Sequence, residues 1–139
     1  MFRNIIIPID LTDKHQQALE IAAQMCSMTE GEVTLVHVIE LIPGLSRDED
    51  RDFYSKLENK ANSQLGHVKQ DWHGPNGACH SKVLFGNRAE EVVRFADEKC
   101  ADLILLMSHR LDLEQPGARW GTLSYKISLM AQCPVLLVK

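Results

Sequence analysis

The residues best suited to chemistry in this chain are polar residues that follow apolar runs. Asp10 follows one such run, Ser108-His109-Arg110 follows a second, and Gly121-Thr122 precedes a stretch with helical spacing. Free backbone N–H groups and the helix dipole favour a phosphate at the start of a helix. The same residues also suit structural roles, because Asp10 can stabilise a turn and Thr122 can cap the helix. The loop over residues 108–122 is therefore a candidate phosphate site.

The tripeptide Ser108-His109-Arg110 contains a nucleophile type, a base type and a cation. Adjacent residues rarely converge on one reacting atom, and no G-x-S-x-G turn precedes a helix here. We therefore predict no catalytic residues. The 6 histidines and 4 cysteines show neither H-E-x-x-H nor clustered metal-ligand spacing, so we predict no metal ligands.

The elements that must position these residues alternate between short β-branched runs and longer stretches with helical spacing. This alternation predicts an α/β fold, a doubly wound five-stranded parallel sheet with helices on both faces. The predicted strands cover residues 2–9, 33–38, 81–85, 102–107 and 135–138. We expect residues 1–139 to form a single domain, which is a usual domain length.

Four amphipathic stretches predict the helices between these strands. We expect the first helix to start near Thr12 or Asp13, because both are suitable N-caps. The apolar residues that helical spacing places on the inner faces are Ala18, Ile21, Ala22, Met25 and Met28 in the first helix, Phe53, Leu57, Ala61, Leu65 and Val68 in the second, Ala89, Val92, Val93, Ala96 and Cys100 in the third, and Leu123, Ile127 and Met130 in the fourth.

The site follows from the fold, because open parallel sheets bind ligands at the carboxyl ends of strands where the winding direction reverses. With the common strand order 3-2-1-4-5, that reversal lies between the first and fourth strands. The residues predicted to meet there are Pro8, Ile9, Asp10, Val38, Met107, Ser108 and Arg110, with Gly121 and Thr122 at the helix that follows the loop.

The whole chain resembles the universal stress protein family. The blocks that carry the resemblance, in order along the chain, are Ile7-Pro8-Ile9-Asp10, Val36-His37-Val38, Gly86-Asn87-Arg88-Ala89-Glu90-Glu91-Val92, residues 101–110 (ADLILLMSHR) and Cys133-Pro134-Val135-Leu136-Leu137-Val138. The resemblance implies the same five-stranded fold, dimerisation through the last strand, and a site for ATP, AMP or a related adenine nucleotide, with Mg only as the nucleotide's own ion. It also implies that Asp10 hydrogen-bonds the ribose or the adenine edge.

One departure from the family concerns its nucleotide motif, which is Gly, two residues, Gly, nine residues, and Gly followed by Ser or Thr. In one register Ser108 and Leu111 occupy the first two glycine positions; in a second, with ten intervening residues, Met107 and Arg110 occupy them. Only the final Gly121-Thr122 matches. A side chain at such a turn costs about 1–3 kcal/mol, or roughly a tenfold to hundredfold loss of affinity.

Arginines could offset part of this loss, because a guanidinium pairs well with phosphate oxygens. The candidates are Arg88, Arg110 and Arg119. Two functions stay open: a homodimeric stress protein that binds an adenine nucleotide weakly, with at most slow ATP hydrolysis, and a dimeric regulatory or interaction module without nucleotide.

The dimer is predicted from the last strand, whose apolar residues Val135, Leu136, Leu137 and Val138 lie at the presumed edge of the sheet.

Composition excludes other classes of partner. The net charge of −4 argues against nucleic-acid binding, and no apolar run is long enough to cross a membrane. The scattered cysteines and the lack of a secretion signal predict a cytoplasmic protein.

Overall fold

The computed structural model describes residues 1–12, 14–108, 114 and 122–139. Within this part of the chain, five parallel strands form one sheet in the order β3-β2-β1-β4-β5, which confirms the predicted fold class. The strands are β1 (Asn4–Pro8), β2 (Glu32–Ile39), β3 (Cys79–Phe85), β4 (Leu103–Met107) and β5 (Val135–Val138). The helices are α1 (Gln16–Thr29), α2 (Arg51–Gln70), α3 (Arg88–Glu98) and α4 (Leu123–Met130).

Helices cover both faces of the sheet, so the central strands are apolar on both sides. Ile5 and Ile7 of β1 pack in one cluster with buried residues of α1 and α2. Ile6, which points to the opposite face, packs in a second cluster with buried residues of α3 and α4. All three isoleucines have 0% exposure, and burying each side chain contributes about 1.5–3 kcal/mol.

The register of β1 is held at the start of the strand by Asp102. Its carboxylate accepts hydrogen bonds from the backbone N–H groups of Arg3 and Asn4, at 2.9 and 3.0 Å. Ile6 then pairs with Ile104 of β4, and Ile7 pairs with Leu35 of β2. Because the three strands run in the same direction, their carboxyl ends meet at one edge of the sheet.

The start of α1 differs from the prediction. The helix begins at Gln16 with His15 at its N-cap position, rather than near Thr12 or Asp13. Thr12 is already held in a turn, because both its N–H group and its hydroxyl donate to the carboxylate of Asp10. Asp13 lies outside the described residues.

The inner face of α2 differs from the prediction in its first turn, whereas Ala61, Leu65 and Val68 are buried as predicted. Phe53 is 37% exposed, and Tyr54 is 1% exposed. The hydroxyl of Tyr54 accepts a hydrogen bond from the N–H of Ile42 and donates one to the carbonyl of Leu45. These bonds hold the ring against the loop that precedes α2. The ring also packs edge-on against Phe85.

Apolar residues at several other helix positions face outward, contrary to the prediction. Met28 is 86% exposed on α1, and Met130 is 39% exposed on α4, where Ile127 is the buried residue. Cys100 lies beyond the end of α3 in a left-handed conformation and is exposed. The spacing of apolar residues places all three on the inner face of a helix. At the ends of the helices that face is not covered, so these side chains are exposed.

Candidate functional site

A cleft of about 300 Å³ opens at the carboxyl ends of β1, β2 and β4. Seven of the predicted site residues line it together: Pro8, Ile9, Asp10, Val38, Met107, Ser108 and Thr122. Arg110 and Gly121, which the sequence also assigned to the site, lie outside the described residues. The cleft therefore unites residues from strands and a helix far apart in sequence.

Asp10 provides a carboxylate at the end of β1. Its Oδ1 accepts hydrogen bonds from the N–H and the hydroxyl of Thr12, at 3.0 and 2.7 Å. No hydrogen bond from another described residue reaches Oδ2. Partial burial raises the pKa of Asp10, but the bonds from Thr12 and the positive charge of Arg88 outweigh this and hold the pKa below its ordinary value of 3.8. Asp10 is therefore a charged acceptor at neutral pH.

Thr122 places the start of α4 against the cleft. It is the N-cap residue, and its Oγ1 accepts from the N–H of Tyr125 at 3.4 Å. The N–H groups at the start of a helix have no acceptor within the helix, and Leu123 and Ser124 line the cleft beside Thr122. This end of the cleft can therefore offer hydrogen-bond donors and the positive end of a helix dipole.

The floor of the cleft is tied together by the segment that follows β1. The N–H of Ile9 donates to the carbonyl of Val36, and Nδ1 of His37 lies 2.8 Å from the carbonyl oxygen of Ile9. His37 is partly buried and is hydrogen-bonded through this contact. His37 also lines the cleft, which sequence reasoning missed because the contact crosses from β2 to the end of β1.

His15 and Lys14 bring nitrogen groups to the rim of the cleft. The ring of His15 is 12% exposed and lies between the carbonyl of Thr12, at 3.0 Å from Nδ1, and the carboxylate of Asp71, at 3.1 Å from Nε2. Neither residue was predicted to belong to the site. Both residues lie at the rim because α1 starts later than predicted. No pattern in the sequence predicted that late start.

Arg88 adds a guanidinium to the same cleft from the first position of α3. Its Nε lies 3.5 Å from Oε1 of Glu40, and both side chains are about half exposed. Leu106 and Val92 add apolar surface between these polar groups. The arrangement of one carboxylate, several nitrogen groups and apolar walls suits a ligand with a flat apolar part and an anionic part.

The described residues hold no group of three or more His, Cys, Asp or Glu side chains able to bind a metal ion. In the same part of the chain, no helix combines the length and the apolar character required to span a membrane.

Comparison with known proteins identifies relatives of the whole chain. Residues 1–139 match the model of the universal stress protein family. Universal stress protein MJ0531 of Methanocaldococcus jannaschii is 29% identical over 143 residues, which cover 100% of this chain and 83% of that protein.

Solved structures show the same fold. MJ0577 of Methanocaldococcus jannaschii superposes with a TM-score of 0.77 at 21% identity, over 100% of this chain and 96% of that chain. A universal stress protein from Archaeoglobus fulgidus in complex with dAMP has a TM-score of 0.65 at 18% identity, over 100% of both chains. A universal stress protein in complex with cAMP has a TM-score of 0.64 at 17% identity, over 99% of this chain and 96% of that chain.

Proposed function

The chain belongs to the universal stress protein family, and we propose on that basis that it is a stress-response protein that binds an adenine nucleotide in the cleft between Asp10 and Thr122. The observation that carries the proposal is that these two residues line one cleft. Both residues lie at the carboxyl edge of the sheet, which is where open parallel sheets bind ligands. Two structures of the same fold contain the adenine nucleotides dAMP and cAMP.

The base and the ribose lie at the Asp10 end of the cleft. Oδ2 of Asp10, to which no other described residue donates a hydrogen bond, accepts from a ribose hydroxyl or from the adenine amino group, which are both donors. Val38 and Met107 line the cleft nearby and provide apolar surface for a purine ring. A charged carboxylate forms stronger hydrogen bonds than a neutral group does, so the lowered pKa of Asp10 favours this contact.

The phosphate lies at the start of α4. The hydroxyl hydrogen of Thr122 remains able to donate while its oxygen accepts from Tyr125. The first N–H groups of the helix add donors, and the helix dipole adds a favourable potential. Because the first two glycines of the family motif are replaced, we propose weak binding of ATP, AMP or a related adenine nucleotide, with no metal other than the nucleotide's own Mg.

The protein acts as a homodimer that pairs through β5. This strand is at one edge of the sheet, bonded to β4 on one side only. Leu136 and Leu137 are each 36% exposed, and Leu129 of α4 is 68% exposed. An apolar edge strand with unpaired backbone groups favours pairing with another chain, and two equal edges form a closed dimer.

The second candidate function is a dimeric regulatory or interaction module that binds no nucleotide. The replaced glycines favour it, since the phosphate turn of the family requires them. Calorimetric titration of the purified protein with ATP, ADP and AMP decides between the two. Saturable binding by at least one of the three supports the first function, and no heat of binding up to millimolar nucleotide supports the second.

A further inference from the structure

Arg88 occupies a position where the helix itself does not favour an arginine. It is the first residue of α3, directly after the N-cap Asn87. A positive charge at the start of a helix opposes the helix dipole, whereas the acidic residues Glu90 and Glu91 in the same turn suit it. Local helix stability therefore does not account for Arg88.

Contacts with the other described residues leave most of the hydrogen-bonding groups of Arg88 available. Its ion pair with Glu40 runs through Nε at 3.5 Å, and the side chains are 50% and 58% exposed. The two terminal amino groups make no hydrogen bond or ion pair with another described residue. An exposed pair of this length is weak, so another anion can displace Glu40.

Arg88 lies at the same end of the molecule as the start of α4. Both helices follow strands of a parallel sheet, so both begin at the carboxyl edge. Arg88 and Val92, one turn apart on α3, line the cleft together with Leu123 of α4. The guanidinium of Arg88 therefore shares one cleft with Thr122 and the start of α4, and its planar fork matches two phosphate oxygens.

We propose that Arg88 is a phosphate-binding side chain of this cleft, and that Glu40 competes with the phosphate for it. This inference rests on the proposed function, since it names the residue that recognises the anionic part of the nucleotide. In the family, backbone groups of the glycine turn bind the phosphate. Here the side chain of Arg88 provides part of that binding. Glu40 sets the affinity, because the nucleotide must replace one carboxylate contact with phosphate contacts.

The test compares AMP with adenosine, which lacks the phosphate, by calorimetry at low salt. At neutral pH, where Asp10 is charged in both proteins, Arg88→Gln weakens AMP binding about tenfold because a charge-assisted hydrogen bond is lost, and it leaves adenosine binding unchanged. Arg88→Lys retains the charge without the fork and shows an intermediate loss. Glu40→Gln acts in the opposite direction and strengthens AMP binding up to about fivefold, which is the range of an exposed ion pair.

Arg94→Gln is the matched control, because Arg94 lies on the same helix, pairs with Glu91 and does not line the cleft. It leaves both affinities unchanged, and thermal melts show that each variant folds. Equal losses for AMP and adenosine in Arg88→Gln, or no loss, would overturn the role of Arg88. A protein that binds neither ligand before any substitution would instead overturn the proposed function, and this inference with it.

Discussion

His37 donates a hydrogen bond from Nδ1 to the carbonyl oxygen of Ile9 over 2.8 Å, and this bond joins β2 to the segment that follows β1. A carbonyl oxygen only accepts, so Nδ1 must carry the proton. The next residue, Asp10, takes its position from the same segment. His37 therefore supports the floor of the cleft from a neighbouring strand.

Replacing His37 with leucine tests this support. His37→Leu removes the donor and leaves the partly buried carbonyl of Ile9 without it, so the free energy of unfolding falls by about 1–3 kcal/mol. Urea denaturation measures the change. His80→Leu is the control, because His80 is 50% exposed and pairs with Glu32 at the surface, and such surface changes stay within about 0.5 kcal/mol. Equal effects of the two substitutions would show that the bond to Ile9 adds nothing.

The carboxyl of Asp10 is expected to titrate below its ordinary pKa of 3.8, because the hydrogen bonds from Thr12 and the charge of Arg88 outweigh partial burial. A pKa that is lowered in the folded protein stabilises the fold above pH 3.8, and this stabilisation is lost as the pH falls through the folded-state value. An NMR titration of the carboxyl carbon measures the midpoint.

Thr12→Ala removes the hydroxyl donor to Oδ1 and moves the midpoint of Asp10 upward. Thr29→Ala is the matched control, since the hydroxyl of Thr29 lies within hydrogen-bond distance of the carbonyl oxygens of Phe2 and Met25 and makes no hydrogen bond to Asp10. A midpoint at or above 3.8, or equal shifts in both variants, would refute the account of this carboxylate.

The strand order and the location of the cleft could be predicted from sequence because both follow from general rules. Near-continuous apolar runs indicate buried parallel strands, and their carboxyl ends must share an edge. Asp10 and Thr122 could therefore be assigned to one cleft although they are 112 positions apart in the sequence.

The other site residues could not be predicted, because they are positioned by contacts that the spacing of residues in the sequence does not reveal. Arg88 meets Glu40, and His37 meets Ile9, only after the strands have paired. The start of α1 was mispredicted because Asp10 competes for the donors of Thr12. Tyr54 was missed because consecutive helix positions differ by about 100° in direction, and the loop that its hydroxyl binds selects it over Phe53.

The proposed dimer predicts that charge on the edge strand separates the subunits. In sedimentation velocity at micromolar concentration, the unchanged protein is a dimer and the double variant Leu136→Lys with Leu137→Lys is a monomer, because buried lysines oppose edge pairing. Met28→Lys, at a site that is 86% exposed on α1, remains a dimer. An unchanged protein that sediments as a monomer would contradict the proposal, as would a double variant that is still dimeric.

The most direct test of the nucleotide site is a ¹⁵N–¹H NMR titration of the protein with AMP. We expect saturable shifts, with one common affinity, for the amides of Ile9, Asp10, Val38 and Thr122, which line the cleft. The amides of Gly31 and Ala78, which line a shallow depression beside the starts of β2 and β3, should not move. Shifts centred on Gly31 and Ala78, or no saturable shift up to millimolar AMP, would contradict the account.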